Sequence, residues 1–352
     1  MAASRPAVTL RLSAILRDKV LRSGYTTVAD LCSVPLPDLV AELSLSVAQT
    51  EELKRQLYPS PEPLKSFTAN ENWEKEKSWA SITTSSKALD SLFGGSQGII
   101  PGKITEICGL PGMGKTQLGL QLCINAQLPP SAGGAGGTSI FIDTEGSLIA
   151  SRVAQIGSAS LQRLAEILND YDKEAALTAD VLLQGIQYCR VHSPVELVAM
   201  GRVLSEIVRA QPKVKMIVLD SISFPFRSNF SDINGRTKLV ATLGRQLSTI
   251  ARDFNVAVVV INQMTTKIDA GSSNGNTRSD QSVIQPALGE TWANFCTHRI
   301  RLGMRQGDNK RTAHLFKSPN IMDQTVPFAI ETDGIRDVKD YASLNPYSSS
   351  TP

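Results

Sequence analysis

Gly109-Leu110-Pro111-Gly112-Met113-Gly114-Lys115-Thr116 decides the reading of this 352-residue chain. The stretch fits G-x-x-x-x-G-K-[ST] without a mismatch. It follows the apolar run Ile104-Thr105-Glu106-Ile107-Cys108 and precedes the helix-like Gln117-Leu118-Gly119-Leu120-Gln121-Leu122. A strand, a glycine loop and a helix start form the context that the motif needs. From Gly109 through Pro111, Gly112, Met113 and Gly114 the backbone can wrap round phosphates. The helix start at Lys115, Thr116 and Gln117 adds the positive end of its dipole. Lys115 is expected to reach the β- and γ-phosphates, and the Thr116 hydroxyl to ligate Mg²⁺. The loop predicts binding of a nucleoside triphosphate.

Composition sets the frame around that loop. The length allows two or three domains, and 41% apolar with 20% charged residues describes an ordinary soluble globular protein. A net charge of +3 is too mild to argue nucleic-acid binding by itself. Cys32, Cys108, Cys123, Cys189 and Cys296 are scattered without a C-x-x-C pair. That spacing supports neither a zinc site nor a disulfide framework, so reduced thiols in an intracellular compartment are expected. The N-terminus has no signal-peptide pattern and no apolar run approaches a membrane span, so no membrane partner is expected.

Helical spacing of Leu12, Ile15, Leu16, Val20 and Leu21 opens a small helical unit over 1–58. Further short helices are expected from Val28, from Pro35 and over Val47 to Leu57. Alternating prolines from Tyr58 to Pro63 cannot continue a helix and predict an extended linker within 59–81. A large α/β domain follows over 82–340. Its strands are expected at Ile104 to Cys108, Ser139 to Asp143, Met216 to Asp220 and Val256 to Ile261. Helical periodicity fills 117–127, 151–168, 194–210 and 236–253. The unbroken run Val256-Ala257-Val258-Val259-Val260-Ile261 suits a strand buried on both faces, hence a mostly parallel sheet. The Ser/Pro-rich tail at 341–352 is expected to be disordered.

Chemistry in such a sheet sits at the carboxyl ends of its strands. Met216-Ile217-Val218-Leu219-Asp220 ends in an aspartate placed to hold magnesium. Phe141-Ile142-Asp143-Thr144-Glu145-Gly146-Ser147 presents a second carboxylate, Glu145, suited to polarise an attacking water, although Asp, Thr and Ser there also suit a helix cap. Asn262-Gln263 ends a further strand, where Gln263 could sense a γ-phosphate.

These motifs, in this order, resemble the RecA-type recombinases. The small helical domain before a Pro-rich linker is similar to their eukaryotic and archaeal branch. Glu106-Ile107-Cys108-Gly109-Leu110-Pro111-Gly112, Phe141 to Ser147, Phe224-Pro225-Phe226-Arg227, Asn262 to Asp269 and Pro286-Ala287-Leu288-Gly289-Glu290-Thr291-Trp292 are most similar to the C-type recombinase paralogues. The resemblance spans roughly residues 10–340. It implies a RecA-like P-loop ATPase core using ATP and Mg²⁺, with slow, DNA-stimulated turnover. It also implies a nuclear, partly cytoplasmic, protein of homologous recombination. Its expected partners are sister paralogues in a hetero-oligomer, single-stranded and branched DNA, and the recombinase filament. Carried over by position, Lys115 and Glu145 are catalytic, Thr116 and Asp220 hold the metal, and Gln263 is the γ-phosphate sensor. Arg152 packs on the adenine, while Ser318 and Pro319, after Lys317, cap a nucleotide across a subunit boundary.

The same resemblance locates two DNA-facing loops. The first runs from Arg227 through Phe230 to Arg236 and Lys238. Cations there suit backbone phosphates and the aromatic offers a stacking face. The second, Thr265 to Gln285, is rich in Gly and Ser, carries Lys267 and Arg278, and is expected to order only on binding. Members that polymerise plug a neighbour with a linker Phe-x-x-Ala. Here Phe67-Thr68-Ala69-Asn70 makes Phe67 and Ala69 candidate partner contacts, but Asn70 replaces the final Ala and argues against long homofilaments. Two other readings remain: an ATP-clamped interaction module that hydrolyses little, and a RecA-core ring motor on DNA.

Overall fold

The computed structural model describes residues 5–58, 66–94, 98–167, 177–227, 233–268, 282–305 and 310–338. Internal contacts divide the chain into Met1–Lys77 and Ser78–Pro352.

In the first unit, α1 (Ala14–Arg22), α2 (Val28–Ser33), α3 (Leu36–Glu42) and α4 (Val47–Leu57) fall where the periodicity placed helices. Reciprocal caps start two of them: Thr27 with Asp30 for α2, and Ser46 with Gln49 for α4. Leu12, Leu16, Val20, Leu31, Leu39 and Leu53 meet in one buried cluster. Ile15 and Leu21 instead face outward at 68% and 43% exposure.

A further helix, α5 (Ala69–Lys77), lies in the stretch read as linker. Thr68 and Glu71 cap it reciprocally: the Glu71 amide donates to Thr68 Oγ1 (3.2 Å) and the Thr68 amide to Glu71 Oε2 (2.6 Å). Ala69 and Asn70 therefore form a helix start, and Phe67 stands 61% exposed before it. The prolines at 59, 61 and 63 lie outside the described residues, as does the tail at 341–352.

The second unit contains α6 (Lys87–Ser91), β1 (Ile104–Gly109), α7 (Lys115–Asn125), β2 (Thr138–Asp143), α8 (Ala150–Ile167), α9 (Ala179–Gln184), β3 (Ile186–Arg190), α10 (Pro194–Ala210) and β4 (Val214–Asp220). It continues through α11 (Ile233–Phe254), β5 (Ala257–Ile268), β6 (Ser282–Pro286), α12 (Gly289–Ala293), β7 (His298–Met304), β8 (Arg311–Lys317), β9 (Gln324–Glu331) and β10 (Gly334–Arg336). Among the described residues the sheet order is β10-β9-β8-β7-β1-β5-β4-β2-β3, with β6 paired to β5. Neighbours from β3 to β7 run parallel; β8, β9 and β10 extend the sheet antiparallel.

Alternation explains why these strands read as unbroken apolar runs. Phe141, Met216, Val218, Val259 and Ile261 pack on one face with Leu118 and Leu122 of α7. Ile140, Ile142, Ile217, Leu219, Val258 and Val260 pack on the other with Leu197 and Leu204 of α10 and Leu243 and Leu247 of α11. Gly119 lets α7 lie close to the sheet, since a Cβ there would sit 3.1 Å from Val218 Cγ1 and 3.2 Å from Ile261 Cδ1. Gly119→Val adds two methyls to that contact. It is expected to cost about 1–3 kcal/mol and lower Tm by roughly 2–10 °C, measured by circular-dichroism melting.

Candidate functional site

The loop at 109–116 leaves β1 and enters α7 through three left-handed glycines: Gly109 (φ 154°), Gly112 (φ 79°) and Gly114 (φ 97°). A side chain at 114 would also strike Ile330, whose Cδ1 lies 2.2 Å from the Cβ position. Gly114 is the N-cap of α7 and supplies no side-chain hydrogen bond to the first turn. The amides opening α7 at Lys115, Thr116 and Gln117 are therefore available to an anion, which fits the phosphates the sequence predicts. Pro111 and Gly112 are exposed, and Met113 packs its thioether onto the core.

Lys115 Nζ donates to the carbonyls of Gly109 (2.8 Å) and Leu110 (2.9 Å), so the ammonium lies folded over the loop. Burial lowers its pKa, and the nearby Asp220 and Glu145 carboxylates oppose that shift.

Parallel register brings the other predicted groups to the same end of the sheet. Gly109 stands opposite Gln263, and Asp143 opposite Asp220. Thr116 Oγ1 donates to Asp220 Oδ2 at 2.6 Å, and Ser147 Oγ to the same oxygen at 3.3 Å. These two hydroxyls do not compensate burial: desolvation pushes the Asp220 carboxyl up to about 6, with Glu145 and Asp143 adding repulsion. A divalent cation shared with phosphate oxygens would relieve that carboxylate, and Mg²⁺ characteristically takes one or two carboxylates plus phosphates. Thr116 and Asp220 thus fit the predicted metal.

Asp143 belongs to a different class of acid. It is fully buried and accepts from the amides of Glu145 (2.9 Å), Gly146 (2.6 Å) and Leu148 (3.1 Å), and from Arg190 at 3.1 Å. It shapes the turn that presents Glu145. Glu145 is exposed, and its Oε1 accepts from Ser221 Oγ at 2.5 Å and from Gln263 Nε2. Glu145 and Gln263 are therefore in direct contact.

Arg152, in the first turn of α8, donates through Nε to Gln117 Oε1 (2.7 Å) and through a terminal nitrogen to the Glu331 carbonyl (2.8 Å). Two residues predicted to serve the nucleotide are thereby joined at the edge of the phosphate loop. Ser318 and Pro319 follow β8, where Ser318 Oγ donates to Asn320 Oδ1 (3.1 Å) and Lys317 Nζ holds the Ala293 carbonyl (2.7 Å).

The DNA-facing candidates are placed unevenly. Arg227 is exposed at the end of a short 3-10 turn, Pro225–Arg227. Arg236 and Lys238 are not loop residues: α11 begins at Ile233, so both lie in its first turns, with Lys238 exposed and Arg236 half-buried. Helical periodicity continues upstream of 236 and carries them onto the helix. Both ends of the second loop are also ordered, because Thr265–Ile268 pairs antiparallel with Ser282–Gln285. Lys267 sits on that strand backbone, its side chain outside the described residues; Phe230 and Arg278 lie wholly outside them.

Spacing gave no signal for Glu106. It is fully buried on β1 and accepts from Asn262 Nδ2 (2.6 Å), Trp292 Nε1 (3.1 Å) and Arg299 Nε. It ties β5, α12 and β7 to the strand that delivers the phosphate loop.

Sequence comparison agrees with this architecture. The Rad51 family profile matches residues 75–338. The chain is 35% identical to "DNA repair protein RAD51 homolog 3" of Cricetulus griseus over 96% of its own length and 94% of that protein's. It is 37% identical to the protein of that name in Dictyostelium discoideum, over 73% of this chain and 65% of the relative. Identity to "DNA repair and recombination protein RadA" of Metallosphaera sedula is 28%, over 92% of each chain. With a family profile covering most of its length and a relative above 30% identity along nearly all of it, the chain belongs to the Rad51 family.

Proposed function

We propose that this chain is an Mg²⁺-dependent, DNA-stimulated ATPase of homologous recombination and double-strand break repair. It acts in a hetero-oligomer with other recombinase paralogues, in the nucleus and also the cytoplasm. There it supports recombinase filament assembly, strand exchange and junction processing on single-stranded and branched DNA. The observation that carries this reading is the convergence of Lys115, Thr116, Asp220, Glu145 and Gln263 at one end of the sheet.

Each residue has a distinct task. The glycine loop and the first turn of α7 hold phosphates by backbone amides, and Lys115 contributes a point charge beside them. Thr116 and Asp220 would hold Mg²⁺, which when bound would supply charge neutralisation at the phosphoryl group. Glu145 Oε1 is fixed by Ser221 and Gln263, and the carboxylate orients and deprotonates water. Arg227 and Lys238 are exposed cations suited to DNA backbone phosphates.

Lys115→Ala is expected to weaken ATP binding by at least about tenfold, the scale of a lost charge-assisted contact, in titrations with a fluorescent ATP analogue. Unchanged affinity would overturn the phosphate-loop assignment. Glu145→Gln should retain ATP while slowing turnover by roughly 100-fold or more. A parent chain that binds ATP as tightly as Glu145→Gln and turns over no faster is an ATP-clamped interaction module instead.

Asp220 gives the site a pH signature. Its folded-state carboxyl titrates near about 6 against an ordinary 3.8, so the folded state binds the proton more tightly than the unfolded chain does. This group therefore favours folding below about pH 4, and that contribution is lost as pH rises through about 6. Denaturant titrations of the nucleotide-free protein should show it, and Asp220→Asn should flatten that part of the profile. Metal binding has the opposite sign, because it requires the ionised carboxylate. The Mg²⁺-dependent increment in ATP affinity should shrink as pH falls below about 6, by up to roughly tenfold per unit. Calorimetry with and without Mg²⁺ measures that increment, and a pH-independent increment would exclude Asp220 as the metal's carboxylate.

A further inference from the structure

Ser221 follows the metal-binding aspartate, is fully buried, and is not a residue the phosphate-loop chemistry calls for. Its backbone is held on both sides by Thr144: the Ser221 amide donates to Thr144 Oγ1 (2.9 Å), and that hydroxyl donates to the Ser221 carbonyl (2.8 Å). So fixed, the Ser221 hydroxyl donates to Glu145 Oε1 at 2.5 Å and accepts the amide of Phe224 at 3.3 Å. Phe224 is 42% exposed and stands immediately before the turn Pro225–Arg227 that opens the first DNA-facing loop.

The second loop reaches the same atom. Gln263 Nε2 donates to Glu145 Oε1, while the Gln263 carbonyl accepts from Ala287 (2.9 Å) at the point where the β5–β6 hairpin returns. A cross-tie joins the two roots, since the Gln263 amide donates to Ser223 Oγ at 3.1 Å. Both roots therefore end on one oxygen, and among the described residues no hydrogen bond engages Glu145 Oε2.

We propose that Ser221 is a positioning residue for Glu145, holding Oε1 so that Oε2 faces the reacting water and transmitting displacement of the Phe224 amide, at the turn Pro225–Arg227, to that carboxylate. This rests on the reading of Glu145 as the hydrolytic base. An amide-to-hydroxyl-to-carboxylate chain polarises along its length, so displacement of the Phe224 amide weakens the Ser221 hydrogen bond as well as moving it. A carboxylate freed to rotate loses near-attack geometry, and displacements of about 1 Å cost up to roughly 100-fold in rate. ATP enters the loop through other atoms, so nucleotide binding does not depend on this hydroxyl.

The test uses the full-length chain and four readouts: affinity for a fluorescent ATP analogue, turnover with Mg²⁺, its stimulation by a single-stranded oligonucleotide, and amide exchange over 221–227. Ser221→Ala should keep nucleotide affinity within about twofold, lower turnover by roughly tenfold or more, and bring oligonucleotide stimulation towards one. Its Phe224 amide should exchange faster with ATP bound or absent. Ser221→Ala combined with Glu145→Gln should turn over no more slowly than Glu145→Gln alone, because the serine acts through the glutamate. The proposal is overturned if Ser221→Ala retains parental turnover while Glu145→Gln does not, or if affinity and turnover fall together. Parental turnover that is indifferent to the oligonucleotide overturns the transmission. Parental turnover in Glu145→Gln overturns both the proposal and the hydrolytic reading beneath it.

Discussion

Parallel register in the centre of the sheet is the constraint on which the site depends. β1, β5, β4 and β2 lie side by side, aligned so that Gly109 meets Gln263, Asp220 meets Ile261, and Asp143 meets Asp220. Strand side chains alternate between faces with a period of two, so a slip of one residue would exchange the two cores as well as the site groups. Two apolar clusters, one on each face, fix that register, because each strand buries alternate residues against different helices. The geometry of the candidate site is thus held by packing remote from it.

Three buried acids show how the fold separates structure from chemistry. Glu106 and Asp143 each combine an arginine with several neutral donors, so their desolvation is offset within the chain. Asp220 accepts from two hydroxyls and, among the described residues, forms no ion pair, and burial pushes its carboxyl up. Composition cannot make this distinction, since all three are strand carboxylates. The incompletely compensated one is the one facing the phosphate loop.

The second loop illustrates a limit of compositional reasoning. Gly and Ser content between Thr265 and Gln285 argues for a segment without structure, yet its two ends continue β5 and form β6. Backbone pairing needs only a partner strand of matching length, so polar residues at the limbs do not prevent it. The consequence is that Gln263 is anchored to a hairpin rather than to a free loop. Within the stretch expected as linker, Thr68 likewise draws Ala69 and Asn70 into a capped helix start.

Local chemistry made much of this protein legible from its residues. Glycines with a lysine and a threonine at fixed spacing specify a phosphate loop because few other residues permit left-handed backbone there. Apolar runs of defined length specify buried parallel strands, and the short N-terminal helices follow from their period and caps. The pairing of Glu145 with both Ser221 and Gln263 and the compensation of Glu106 by Arg299 came only with the tertiary structure. Each depends on residues from 76 to 193 positions apart, and no local pattern encodes such distances.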